Sequence, residues 1–425
     1  MAHSSVLSPK AFKPVTSGLA PRAAVMVFLA FAAAYFLSAL IRAITATLSP
    51  TLTQEFALNA GDLGLLAGGY FLGFAVTQLP LGRWLDRHGP KQVILGFLAV
   101  AVLGCIAFSL ATSFAGLLAA RVLCGVGVSA CLMAPLTGYR RWFEPGTQLR
   151  TNSWMLMTGS LGMVASTLPV QWLMPLTGWR PLFWGLAALV FLSMLLIAAR
   201  VPAWVTLPAP SAGNVPASSY AEIWRNAYFR RLVPLAFFSY GGLVAIQTLW
   251  AGPWMVKVAG YSALQAAAGL FWINVAMLAT FWIWGLVNPW LTQRGWTTDR
   301  LVTWVLPLSF LVLAFVLIAE SRLASWTGAF WALYCMCCTV VSLTQPAVGM
   351  AFPPALAGRA LSAYNLAIFS GVFVVQWSIG LGVDALKVLG LTEVRAFQLA
   401  MALFLLACMA SYLYFLLAKR DNELG

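Results

Sequence analysis

Two arginines, Arg42 and Arg121, raise the first chemical question in this sequence. Each lies inside a long apolar stretch, AAAYFLSALIRAITATL and GLLAARVLCGVGV, with no acid in either. A cation at the centre of a bilayer costs about 2.5–3.5 kcal/mol on insertion scales. All eleven Asp and Glu residues fall in loops, tails or the ends of apolar runs, so no mid-run carboxylate is expected to neutralise either cation. Two guanidiniums sharing one cavity about 8 Å apart would repel by roughly 2 kcal/mol at an effective dielectric near 20. A bound anion would offset that repulsion, and the planar guanidinium fork suits a carboxylate or phosphate. Tyr35, Ser38 and Arg42 follow i, i+3, i+7 spacing and share one polar helical face. The competing expectation is an arginine bonded to backbone carbonyls or snorkelling toward headgroups.

The elements that carry these residues follow from composition. The chain has 425 residues, 61% hydrophobic and 8% charged, far from the quarter charged that a soluble domain carries. A hydrocarbon layer of about 30 Å takes about 20 apolar residues as helix. Twelve runs qualify: 24–48, 63–81, 92–111, 116–137, 153–174, 181–199, 232–256, 264–287, 301–319, 326–345, 361–383 and 396–418. They are long and apolar all round, unlike the short alternating strands of a membrane barrel. The expectation is an all-α membrane protein of twelve transmembrane helices in two six-helix bundles. Residues 1–200 form the first bundle, 201–231 a linker and 232–425 the second. The linker opens VPAWVTLPAPSAGNVPASS, which reads as flexible, and continues YAEIWRNAYFRR, which reads as a short amphipathic helix.

The net charge of +14 is distributed for a membrane rather than for nucleic acid. With the N-terminus inside, eighteen Lys and Arg fall in cytoplasmic segments and five outside: Arg180, Lys257, Arg322, Lys387 and Arg395. That is the positive-inside bias, and it places both termini in the cytoplasm of a bacterial-type inner membrane. Lys10 and Lys13 are followed by Pro14 and Pro21, and the first apolar run is too long for a cleavable signal core. The seven cysteines lie in or at apolar runs, where they are expected to pack; with only two His in the chain, no metal or cofactor is expected. No Walker sequence and no H-E-x-x-H occurs, so an enzyme is not expected.

The halves show traces of repetition. Tyr35 precedes Arg42 by seven residues, as Tyr240 precedes Gln247, and the two stretches end at Pro50 and Pro253. The charged knot RWLDRHG at 83–89 is echoed by PWLTQRG at 289–295. Internal repeats of this kind mark transporters, with the site near the midplane between the repeats.

Six-plus-six runs with G-x-x-x-D-R-x-G between the second and third resemble the major facilitator superfamily. Gly82, Asp86, Arg87 and Gly89 match its loop motif; Pro90 departs from it. R-x-x-x-G-x-G in the fourth run (Arg121, Gly125, Gly127) resembles a second motif of the superfamily, and there the glycines let helices approach closely. Asp86 is expected to latch the first half to the start of the eleventh run, where FPPALAGR begins a helix whose N-terminus attracts anions, with Arg140 or Arg141 sharing it. The stretch YFLSALIRAITATLSPTL also resembles the organic anion:cation symporter branch, as does GRALSAYN with Asn365. That resemblance implies Arg42 and Arg121 as an anion-binding pair. The branch carries acids where this chain has Ile41 and Val128, so protons are left open as a partner, beside uniport and exchange. TGSLGMVASTLP has Gly159 and Gly162 but not the Gly-Pro pair of drug antiporters. Tyr240, Gln247 and Asn365 are the expected contacts from the second half.

The expected function is transport of a small organic anion by alternating access, by a monomer in the lipid bilayer. Efflux of drug-like molecules and a non-transporting membrane sensor or scaffold are the alternatives.

Overall fold

The structure is a computed structural model, and it describes residues 19–204 and 220–423. The tail with Lys10 and Lys13 and the linker's Pro/Ala/Ser-rich portion at 205–219 lie outside the described residues.

Every element among the described residues is helical. α1 is Pro21–Phe56, α2 Ala60–Leu110 and α3 Phe114–Trp142; α4 is Pro145–Ala165, α5 Leu168–Thr177 and α6 Trp179–Arg200. After the linker come α7 (Tyr220–Arg225), α8 (Ala227–Lys257), α9 (Ala263–Gln293), α10 (Thr298–Met350), α11 (Pro354–Val388) and α12 (Glu393–Glu423). The starts follow local chemistry. Pro21, Pro145 and Pro354 open helices, where their missing N–H costs nothing. Asn59 with Asp62, and Ser262 with Gln265, form reciprocal capping boxes. Asn226 breaks the expected amphipathic segment in two, its side chain accepting the Phe229 N–H at 2.9 Å as α8 begins.

Nine helices among the described residues are long and apolar enough to cross a membrane. Two of these are too long for one crossing. α2 has 51 residues, about 76 Å of helix, and is interrupted at Gly89, whose φ of 76° and ψ of 164° break the helical path. α10, with 53 residues, is broken at Glu320–Trp326, where Glu320 and Ala324 adopt positive φ. The repeated knot shows in the backbone as well: Gly295, the counterpart of Gly89, has φ 79°.

The polarity is inverted relative to a soluble protein. Leu103, Leu192, Trp304, Leu311 and Ile318 are exposed, while Arg121, Gln247, Asn274, Asn365 and Gln376 are buried. Lipid as the surrounding solvent accounts for that arrangement, and the chain is a multi-pass membrane protein.

The end of the molecule where α1 stops and α2 starts, expected to face outward, is called the outer end below. There the sequence halves press together. A Cβ on Gly64 of α2 would lie 2.4 Å from the Gln376 carbonyl oxygen of α11, and one on Gly380 would lie 2.2 Å from that of Ala60. Only glycine permits backbones this close. The Asp384 carboxylate of α11 accepts the Ala60 and Gly61 amides at 3.1 and 2.6 Å, which ties it to the first turn of α2. Toward the opposite ends of the same helices, Gly82 and Gly358 have nothing within 4 Å of a hypothetical Cβ. Three of the five bases expected on the outer side are ion-paired: Arg180 with Glu55, Lys257 with Glu393 and Arg395 with Glu320.

Candidate functional site

Arg42 lies 14 residues before the end of α1, and Phe74 lies 14 residues after the start of α2. Both therefore sit about 21 Å along the helix from the outer end, and the Arg42 guanidinium lies over the Phe74 ring at 5.7 Å. Tyr35, about two turns earlier on α1, and Tyr70, one turn before Phe74, direct their phenols at the same guanidinium. Tyr240 from α8 faces both Tyr35 and Arg42. The two tyrosines linked by the sequence repeat thus meet across the seam between the halves. Gly159 of α4 makes room for this: a Cβ there would lie 2.4 Å from the Tyr35 ring. The Arg42 Nε has no hydrogen-bond partner, and neither does the buried Ser38 hydroxyl oxygen.

Arg121 is placed differently. It is fully buried. Its Nη1 donates to the Ile41 carbonyl at 2.8 Å and its Nη2 to the Arg42 carbonyl at 3.5 Å, with the guanidinium 5.0 Å over the Tyr70 ring. The cation that the sequence pairs with Arg42 at a common anion is, in this conformation, bonded to the backbone that carries Arg42. Gly125 and Gly127 allow the approach of α3: a Cβ on Gly125 would lie 1.9 Å from the Tyr70 carbonyl oxygen, and one on Gly127 2.2 Å from the Ala101 amide nitrogen. Cysteines 105 and 124 pack beside this junction, and all seven cysteines are free.

In the second half two pairs of carboxamides bond to each other, while Gln376 donates to the Thr248 hydroxyl at 3.0 Å and Gln398 to the Leu317 carbonyl at 2.9 Å. Gln247 donates to the Asn274 Oδ1 at 2.8 Å, and Gln345 donates to the Asn365 Oδ1 at 2.6 Å. Gln247 also reaches the Met163 sulfur of α4 at 3.9 Å. Tyr240 and Gln247 both lie in π-helical turns of α8, Leu235–Tyr240 and Ile246–Trp250. Such wide turns recur at functional sites, and nothing in the residue pattern announces them.

At the opposite end, Asp86 is exposed on the last helical turn of α2 before the Gly89 break, within the field of Arg359 on the second turn of α11. Partial burial raises the Asp86 carboxyl above its ordinary pKa, and the Arg359 charge opposes that rise. Arg87 and Arg140 are exposed. Arg141 lies over the Trp204 ring at 4.6 Å, and Trp204 also packs edge-on to Trp142. A Cβ on Gly89 would lie 2.1 Å from the Trp204 Cγ. Trp204 belongs to the stretch expected to be flexible, yet it seats on Gly89, so this glycine serves both a positive φ and a close contact.

A bacterial homologue of the human lysosomal transporter Spinster, in an inward-facing unoccupied conformation, superposes with TM-score 0.77 at 16% identity, over 95% of this chain and 98% of that one. A D-xylose-proton symporter superposes with TM-score 0.70 at 14% identity, over 91% and 97%. Among curated sequences, a probable L-galactonate transporter of Escherichia coli is 25% identical over 52% of this chain and 46% of its own length. The 4-hydroxybenzoate transporter PcaK of Pseudomonas aeruginosa is 28% identical over 39% and 37%. The multidrug resistance protein MdtL of Escherichia coli is 25% identical over 43% and 47%. The match thus spans less than half the length of each of these relatives. The Major Facilitator Superfamily model matches residues 31–376, most of the chain, and the protein belongs to that superfamily.

Proposed function

We propose that this protein is a secondary transporter of a small organic anion, with Arg42 as its anion-binding residue. The observation that carries this reading is the setting of Arg42: a half-buried guanidinium with a free Nε, ringed by phenols from both sequence halves. A buried cation with neither a carboxylate nor a backbone carbonyl as partner is costly, and an arriving anion would offset that cost. Arg121 acts as a positioning residue, holding the α1 backbone at Ile41 and Arg42. Two of the curated relatives are named as transporters of organic acids, L-galactonate and 4-hydroxybenzoate, which is consistent with this reading.

On this reading the chain crosses a bacterial inner membrane twelve times in two six-helix bundles, with α2 and α10 each crossing twice and α4–α5 together once. Both termini face the cytoplasm, and the unit is a monomer. Transport proceeds by rocking of the halves about the Arg42 level. Asp86 and Arg359 attract each other when the cytoplasmic end closes, and the Asp384 contact holds the outer end closed.

Uptake into proteoliposomes tests the reading, using labelled carboxylates with and without a pH gradient. Arg42-dependent uptake of at least one carboxylate is expected. Uptake of every anion at equal rates by the parent and by Arg42→Gln would overturn the proposal. Export of cationic or neutral drug-like compounds unaffected by Arg42→Gln would favour the efflux alternative, in line with the MdtL likeness.

A further inference from the structure

We infer that this transporter works by exchange: the Arg42 site reorients only with an anion on it, so one organic anion enters as another of equal charge leaves, and no proton is carried. This rests on the transport reading above and fixes what drives it.

The titratable groups that face Arg42 are Tyr35 of α1, Tyr70 of α2, Cys131 of α3 and Tyr240 of α8. Arg121 of α3 lies against the backbone of the same turn. Phenols ordinarily lose a proton near pH 10, thiols near about 8.5 and guanidiniums above about 12, so none of these groups exchanges a proton around neutrality. The acids lie well away along the helices. On α1 and α2, Glu55 lies 13 residues from Arg42, and Asp62 and Asp86 each lie 12 from Phe74, about 18–20 Å of helix. Asp384 lies 15 residues beyond Phe369, which meets Phe74 at 4.4 Å, about 22 Å along α11. Most acids are engaged where they stand: Glu55 with Arg180, Asp299 with Arg231, Glu320 with Arg395, Glu393 with Lys257, and Asp384 with two amides.

Alternating access takes the halves through an arrangement closed at both ends. The water that solvates a half-buried guanidinium is excluded there, and a charge buried without a partner is strongly disfavoured. A bound anion neutralises Arg42. A carboxylate beside it would do the same after giving up its proton, and no carboxylate stands there. The empty carrier therefore waits where it released its cargo until another anion arrives. Swapping anions of equal charge moves no net charge and no proton, so the gradient of one anion drives the other.

The test uses the full chain in proteoliposomes with labelled acetate, malonate, 4-hydroxybenzoate and galactonate. Each is offered to vesicles loaded with the same unlabelled anion and to vesicles holding buffer alone. Arg42-dependent uptake at least tenfold faster into loaded vesicles is expected, with an inward proton gradient changing neither rate by more than twofold. Cys131→Asp, which sets a carboxylate facing Arg42, should let the empty carrier return and cut the loaded-to-empty ratio to threefold or less; Cys131→Asn should keep it. These are ratios within one preparation, so partial misfolding of a variant does not mimic them. Equal uptake into loaded and empty vesicles would overturn exchange in favour of uniport. Accumulation in empty vesicles under a proton gradient would overturn it in favour of symport. Either result leaves anion transport standing, and a ratio still tenfold in Cys131→Asp would overturn the part given to the Arg42 charge. No Arg42-dependent uptake of any of these anions in either kind of vesicle would overturn the transport reading itself.

Discussion

The Asp384 carboxylate, near the outer end of α11, accepts the Gly61 amide of α2 at 2.6 Å and the Ala60 amide at 3.1 Å. An anion is thus seated on a helix N-terminus across the seam between the sequence halves. This is the kind of contact expected for Asp86 at the other end of α11, realised here by a different acid at the opposite face. Carboxylates at partly buried helix N-termini contribute up to about 2 kcal/mol.

Removing the Asp384 charge should therefore loosen the outer closure. Asp384→Asn is expected to lose about 1–2 kcal/mol of this contact, shifting the conformational ratio toward outer-open by roughly 5- to 30-fold. Hydrogen–deuterium exchange of the amides in the first turn of α2 reads the change directly. Exchange in that turn no faster than in the parent would show that the contact does not hold the outer end closed.

The glycine seam makes a second, steric prediction. Gly380→Val places a branched side chain where even a Cβ would lie 2.2 Å from the Ala60 carbonyl oxygen, so the outer end cannot close as observed. Gly358→Ala, on the same helix with nothing within 4 Å, should behave as the parent. Transport rate and outer-end accessibility to a membrane-impermeant reagent distinguish the two. Equal behaviour of both variants would count against a glycine-dependent closure.

Arg42 and Arg121 should separate into different roles. Arg121→Gln removes the donors to the Ile41 and Arg42 carbonyls, of which the 2.8 Å bond to Ile41 contributes about 1.5–3 kcal/mol. A melting temperature several degrees lower is expected, with weaker apparent substrate affinity. Arg42→Gln should leave the melting temperature within a few degrees of the parent and abolish anion uptake. Arg121→Lys should not restore the parent behaviour, because an ammonium lacks the fork that spans two successive carbonyls. Thermal scanning in detergent alongside uptake measures both effects.

Gly89 carries a backbone constraint and a packing one. Gly89→Ala is expected to destabilise by about 1–3 kcal/mol from the positive φ alone, with a further clash against Trp204. Trp204→Ala in the same background should recover the clash and not the backbone strain. A double-mutant cycle followed by thermal unfolding separates the two contributions. Strict additivity of the two substitutions would show that Gly89 and Trp204 do not act together.

Much of the local structure was legible in the sequence. The length of the apolar runs and the proline and Asx starts set the helices, since those signals act within a few residues of one another. The two uncompensated arginines were legible too, and so was the glycine of the charged knot, whose repeat partner Gly295 also has a positive φ. The family followed from motif and run count together, and the family match bears that resemblance out.

The contacts between helices were not legible in this way. That Arg121 bonds to the α1 backbone, that Tyr70 and Phe74 join Arg42, and that Gln247 pairs with Asn274 depend on how helices cross. So do the seating of Trp204 on Gly89 and of Arg231 against Asp299, at 2.6 Å. The physical reason is that the pattern along one helix fixes which residues share a face and leaves open which neighbour that face meets. In lipid, where apolar surface alone barely discriminates between partners, that choice falls to close glycine approaches and a few hydrogen bonds, and those exist only once the whole chain is folded.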